Sequence, residues 1–256
     1  MKGCKLIEST EKNHPYWTDG EKVYYHVHEI KNADLESFTI YSEDIPWAKD
    51  KKTVYCESIP FRRADKETFE ALNYSFVKDK LNVWTDNGKI DNADIETFEV
   101  CDSGKVYRSD MTLEGRLYKN FRPMGYAKDK NHVYYYNGND EKAYKPKIIK
   151  DAIPATFFSL DDGHFGYDEK SVYFTNKKLK GANPKTWRLF KKGCYYSRDK
   201  MIYFENIIMK EADIESFELL ADNFYAKDKR NYYNTDTIIL KEKLSLYYGL
   251  KNITIE

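Results

Sequence analysis

The feature that most limits what this chain can fold into is a repeat. An aromatic residue stands three positions before an aspartate at eight places: Tyr16/Asp19, Trp47/Asp50, Phe76/Asp79, Tyr107/Asp110, Tyr126/Asp129, Phe165/Asp168, Tyr196/Asp199 and Tyr225/Asp228. The aspartates are spaced 31, 29, 31, 19, 39, 31 and 29 residues apart. A period near 30, with one short unit followed by one long one, requires small units that pack in register against their neighbours.

Further columns share the register. An aliphatic-aromatic pair follows most anchors, as in Val23-Tyr24, Val54-Tyr55, Val83-Trp84, Val133-Tyr134, Val172-Tyr173 and Ile202-Tyr203. About ten residues later comes Ala-Asp-x-x-Ser/Thr-Phe, as at Ala33 to Phe38, Ala64 to Phe69, Ala93 to Phe98 and Ala212 to Phe217. The first aspartate suits the opening of a tight turn, because its side chain bonds the backbone two residues on. Val-Tyr reads as strand. Asn87-Gly88 and Asn137-Gly138 read as hairpin turns. The aspartate after alanine reads as the N-cap of one helical turn, and the phenylalanine opens another strand. One unit therefore holds about three short strands and one capped turn. Only Leu240 to Leu250 suggests an amphipathic helix.

Composition agrees with a folded β protein. Tyr numbers 23, more than Gly (12) and Pro (7) together, and tyrosine favours strands. Lys+Arg and Asp+Glu are both 42, so no net charge draws the chain to nucleic acid or to a membrane surface. No apolar run approaches the roughly 20 residues of a spanning helix. The first residues lack the apolar core of a signal peptide, and Cys4, Cys56, Cys101 and Cys194 form no C-x-x-C pair. A cytoplasmic protein with four thiols is expected.

The columns resemble the DKNYY family, named for the tract whose best copies are Tyr126-Ala-Lys-Asp-Lys-Asn131-His-Val-Tyr-Tyr135 and Tyr225-Ala-Lys-Asp-Lys229. The resemblance runs from about Tyr16 to Tyr233. It implies a bacterial repeat protein and brings no particular activity with it. Asp110-Met111-Thr112 departs from the pattern, as does the insertion from Asn139 to Lys150.

The expected architecture is a single all-β repeat domain over 1–256, of about eight units of about 30 residues. The units start near 16, 47, 76, 107, 126, 165, 196 and 225, with irregularity at 105–150. An open, solenoid-like stack is preferred to a closed ring. The aromatic column at Tyr24, Tyr55, Trp84, Tyr134, Tyr173 and Tyr203 is expected to be core; as an exposed ladder it would suit sugars. Lysines beside the turn aspartates, and acidic pairs such as Asp34/Glu36 and Asp213/Glu215, fit salt bridges between neighbouring units or solvated edges. His26-x-His28 would place two imidazoles on one strand face, but no third metal ligand shares their register. Asp161-Asp162-Gly163-His164 reads as an ordinary loop. Nucleotide-binding, hydrolase and metalloprotease motifs are absent. The sequons at Asn73 and Asn252 carry no weight.

No enzyme and no cofactor are expected. Binding of another protein is the favoured function, with glycan or cell-envelope binding second and nucleic acid disfavoured. Repetition accounts for the regular units as scaffold, so a partner site is expected where repetition breaks. The candidate residues there are Arg116, Tyr118, Phe121, Arg122 and Tyr144, types enriched at interface hot spots.

Overall fold

The structure is a computed structural model that describes residues 5–6, 15–43, 45–113, 115–138, 145–220 and 223–242. It is all-β, with seven small antiparallel sheets and two single-turn 3-10 helices among the described residues. The chain divides into two compact units, 1–164 and 165–256. The end of the Leu240–Leu250 segment lies outside the described residues.

The third sheet displays the plan. Its strands Glu70–Ala71, Val77–Lys78, Val83–Thr85 and Gly88–Lys89 pair in chain order, with Val77 between Ala71 and Trp84. The first of these strands follows Phe69 and so belongs, by sequence, to the previous repeat. Each sheet of this kind has four strands, and the strand opened by a unit's phenylalanine is the edge of the next sheet. The sheets ending at Ile208 and Ile239 repeat the plan within unit 165–256. Neighbouring units are thereby joined by backbone hydrogen bonds as well as by packing.

The phenylalanine is held between two rings. Phe38 lies 5.7 Å from the anchor Tyr16 of its own unit and 5.6 Å from Tyr55 of the next. Phe98 sits 5.9 Å from Phe76 and 5.7 Å from Tyr134, and Phe217 sits 5.6 Å from both Tyr196 and Tyr233. These offset and tilted contacts are the favourable arrangements for aromatic pairs. Tyr55, Trp84, Tyr134, Tyr173 and Tyr203 are all buried. Only Tyr24 of that column is half-buried, stacked on Trp17 at 4.3 Å.

The capped turn forms as expected. Asp34 caps the 3-10 turn Leu35–Ser37 by accepting from the Ser37 N–H and hydroxyl. Three expectations need correction. Tyr107 and Asp110 do not start a repeat: they lie in a nine-residue strand, Lys105–Leu113, that pairs with the thirteen-residue strand Arg116–Lys128. Asp110 faces Lys119 in that ladder and opens no turn. There are accordingly seven sheets where eight anchors are found in the sequence. His26 and His28 do not share a strand either, because His26 occupies a hairpin turn at φ 52° between Val23–Tyr25 and His28–Glu29. In the third sheet the turn centres on Asp86-Asn87, since Thr85 pairs with Gly88.

Those hairpin turns form a column that the sequence does not announce. His26, Glu57, Thr175, Glu205 and Thr235 all have φ between 52° and 57°. Glycine is the usual occupant of a first turn position with positive φ. Here Glu57 N–H donates to Pro46 O, Glu205 N–H to Tyr195 O and Thr235 N–H to Phe224 O. The anchor tyrosine of the preceding unit then reaches the same turn. Tyr16 Oη donates to Pro46 O at 2.7 Å with Glu57 O at 3.0 Å, and Tyr196 Oη lies 2.8 Å from Phe224 O and 2.7 Å from Thr235 O.

Candidate functional site

Two kinds of polar construction compete for a functional role. The first is the junction between repeats. Asp129 is buried, and its carboxylate accepts from the N–H groups of Asn131 and His132, from Tyr134 Oη at 2.7 Å, and from Asp94 N–H at 2.8 Å in the preceding unit. Asp50 and Asp228 do the same with Tyr55 and Tyr233 and with the cap residues Asp34 and Asp213. Burial opposes ionisation of Asp129, yet these donors outweigh it and hold its pKa below the ordinary value. The bonded Tyr233 hydroxyl is pushed up to about 12 by burial and by Asp228.

Lysines complete the junction. Lys51, Lys80, Lys130 and Lys229 pair with cap aspartates 34, 65, 94 and 213 at 2.6–2.9 Å. A second set pairs across strands, Lys78 with Glu70, Lys128 with Glu99 and Lys227 with Glu218. These repeated charges therefore neutralise one another between neighbours, and the turn and cap aspartates of the signature have structural tasks.

The second construction is the long hairpin, which closes at Gly115 (φ 76°). Its base is fixed by Asn73 and Ser75, the residues of the first sequon. Asn73 donates to Asp102 O at 3.0 Å, and Ser75 Oγ donates to Gly104 O. Asp102 accepts from Gly104 N–H, Tyr126 N–H and Ser159 Oγ at 2.8–3.0 Å. Burial nevertheless dominates there and raises its pKa to about 6. From this base the hairpin lies against the first three repeats, and the two form the walls of a half-open cavity of roughly 1000 Å³.

The hairpin wall of the cavity carries Met111, Leu117, Tyr118 and Phe121, and the repeat wall carries Tyr25, His26, Glu57 and Tyr74. Tyr118 is buried with its ring 4.4 Å from that of His26, and its hydroxyl has no hydrogen-bond partner among the described residues. Phe121 lies 6.0 Å from Tyr74, and the Lys105 ammonium sits 4.4 Å from the centre of the Phe121 ring. Glu57 is exposed to solvent within the cavity although protein surrounds it. Burial raises its pKa, Asp86 adds to the rise, and His28 and a hydrogen bond from Tyr25 oppose it. Burial and then the Glu57 charge lift Tyr25 and Tyr74 as well. Cys56 follows the same trend, through burial and the charges of Asp86 and Glu57.

Two candidate residues read from the sequence, Tyr118 and Phe121, thus meet on one cavity wall. Arg122 lies instead beside His164, whose pKa is lowered by burial and by this guanidinium against the opposing charge of Asp162. Arg116 is placed only by its backbone, in the strand Arg116–Lys128. Tyr144, with the rest of 139–144, lies outside the described residues. Tyr25, Glu57 and Tyr74 were missed because they sit in regular repeats. Their signal was weak: Glu57 occupies the positive-φ turn column, where a glutamate has no local advantage.

Sheets that exchange an edge strand with the next repeat, tied by buried aspartates, define a class of all-β tandem-repeat proteins. The chain belongs to the DKNYY family, whose model matches residues 1–59, 16–138 and 47–206. Comparison with curated proteins and with solved structures gave no significant match. No helix of the described residues is long and apolar enough to cross a membrane.

Proposed function

We propose that this protein is a non-catalytic scaffold whose cavity between the long hairpin and the first three repeats binds a segment of another protein. The supporting observation is that the long hairpin, an element that breaks the repeat, forms a wall of that cavity. A volume near 1000 Å³ is at the upper end for ligand sites, and its mixed lining of aliphatic, aromatic and charged groups suits several side chains at once. The competing glycan reading drew on an exposed column of rings, and all but one of those rings are buried. The test is selection of displayed random peptides on the full chain, followed by anisotropy measurements on the selected peptides. Leu117 is 54% exposed, so Leu117→Asp should abolish binding without unfolding the protein. Leu81→Asp, outside the cavity, should not. Peptides that ignore Leu117→Asp, or a selection that yields none, would refute the reading.

A further inference from the structure

The charge in the cavity points to the chemistry of what enters it. Among the described residues three carboxylates line it, Glu43, Glu57 and Asp110, with one lysine, Lys119. Asp86 stands close enough behind Glu57 to raise the pKa of that carboxyl. Asp86 is itself held by Tyr136 Oη, which Asn87 supports at 2.7 Å. His26 and His28 complete the titratable lining of the repeat wall. A carboxylate whose ionised form is disfavoured by burial and by a neighbouring carboxylate gains most from an incoming positive charge.

The aromatic lining favours the same charge. Tyr25, Tyr74, Tyr118 and Phe121 present ring systems whose faces attract cations, and rings combined with carboxylates recognise ammonium groups. The protein already provides an instance: the Lys105 ammonium lies 4.4 Å from the Phe121 centroid and 5.9 Å from that of Tyr74. The apolar part of the lining, Ile45, Met111 and Leu117, can take an alkyl stem.

We infer that the cavity recognises an organic cation on an alkyl stem, presented as a lysine side chain of the bound segment. This rests on the proposed peptide-binding function, and the experiment separates the two. Full-length protein is titrated with n-butylammonium, n-butanol and butyrate, and amide and aromatic NMR shifts are followed. The amine should give saturable shifts at Tyr25, Glu57 and Tyr74, and the other two should not. Glu57→Gln, which keeps the turn backbone and the side-chain shape, should weaken amine binding by about tenfold, the size of one lost charge-assisted contact. Glu36→Gln, outside the cavity, should leave it unchanged. In parallel, lysines of the selected peptides are replaced by norleucine.

Loss of affinity on that replacement, together with butylammonium shifts, supports the inference. Peptides that bind in the cavity equally well with norleucine would overturn it and leave the peptide-binding function standing. Amine binding without any peptide binding would keep the cation specificity, assign it to a free small amine, and remove the peptide. Shifts of equal size with butanol would show a merely apolar cavity and reject the cation.

Discussion

The same residue type behaves oppositely in two parts of this protein. At the repeat junctions, Asp34 and Asp213 are lowered to about 2 by their lysine partners and their serine bonds, and buried Asp129 is lowered too. At the base of the long hairpin, Asp102 is raised to about 6. Both Asp102 and Asp129 are hydrogen-bonded. The junction aspartate takes four donors from two repeats, whereas Asp102, half-buried by solvent exposure, accepts three bonds that do not offset its loss of hydration. The lesson is that repetition selects a junction that favours the charged form. A unique element inserted into the array is anchored without that compensation.

The contrast breaks most sharply at the junction. Asp129→Ala should cost about 4 kcal/mol or more, because several buried donors lose their acceptor at once. Urea unfolding would measure it, and a loss under about 1 kcal/mol would show that water replaces the carboxylate.

The pH dependence comes next. The folded pKa of Asp102 lies above the ordinary carboxylate value near 4. Its contribution is therefore fully present below pH 4 and lost as pH rises through about 6, by at most roughly 3 kcal/mol. Asp34 and Asp213 have the opposite sign: their contribution is present above the ordinary value and lost as pH falls from about 4 toward about 2. Unfolding of wild type and Asp102→Asn should diverge between pH 4 and pH 8. Parallel curves would remove Asp102 from the account.

Gly125→Ala sharpens the same region, since a Cβ there would clash with Asp102 Oδ1. A cost of about 1–3 kcal/mol is expected, with amide exchange accelerated first in the hairpin. Uniform acceleration across the first unit would mean that the hairpin is not a separate module. Thr235→Gly, at φ 57° in a turn, should stabilise by up to about 1 kcal/mol, because left-handed strain is relieved at the expense of chain entropy. A lower melting temperature would show that the Thr235 hydroxyl bond to Asn234 O outweighs the strain. Smallest of all, Lys130→Ala removes an exposed ion pair and should leave the melting temperature within error.

Much of the scaffold is legible in the sequence because its causes are local. Asp-Lys-x-x ahead of Val-Tyr specifies a turn through bonds spanning two or three residues, and Ala-Asp-x-x-Ser-Phe specifies a cap in the same way. Repetition of these tracts at about 30 residues then announces an all-β array, while its charges fit either salt bridges between neighbours or solvated edges until the structure pairs them. The partnership of sheets is less visible, since the strand after each phenylalanine joins the following repeat only through pairing across the junction. Tyr107/Asp110 misleads for a related reason: a four-residue motif cannot reveal that both its members lie in one long strand.

The candidate site divides along the same line. Tyr118 and Phe121 stood out by chemistry and by their place in a broken repeat. Glu57, Tyr25 and Tyr74 join them only because Asn73, Ser75 and Asp102 fix the hairpin base and bring its strands against turns up to about a hundred residues earlier in the chain. The sequence by itself determined the repeating unit, because each unit is made by contacts within a few residues or between like neighbours. Only the tertiary structure decided the cavity, because its walls come from segments that share no register and meet through side-chain bonds to backbone groups far away in sequence.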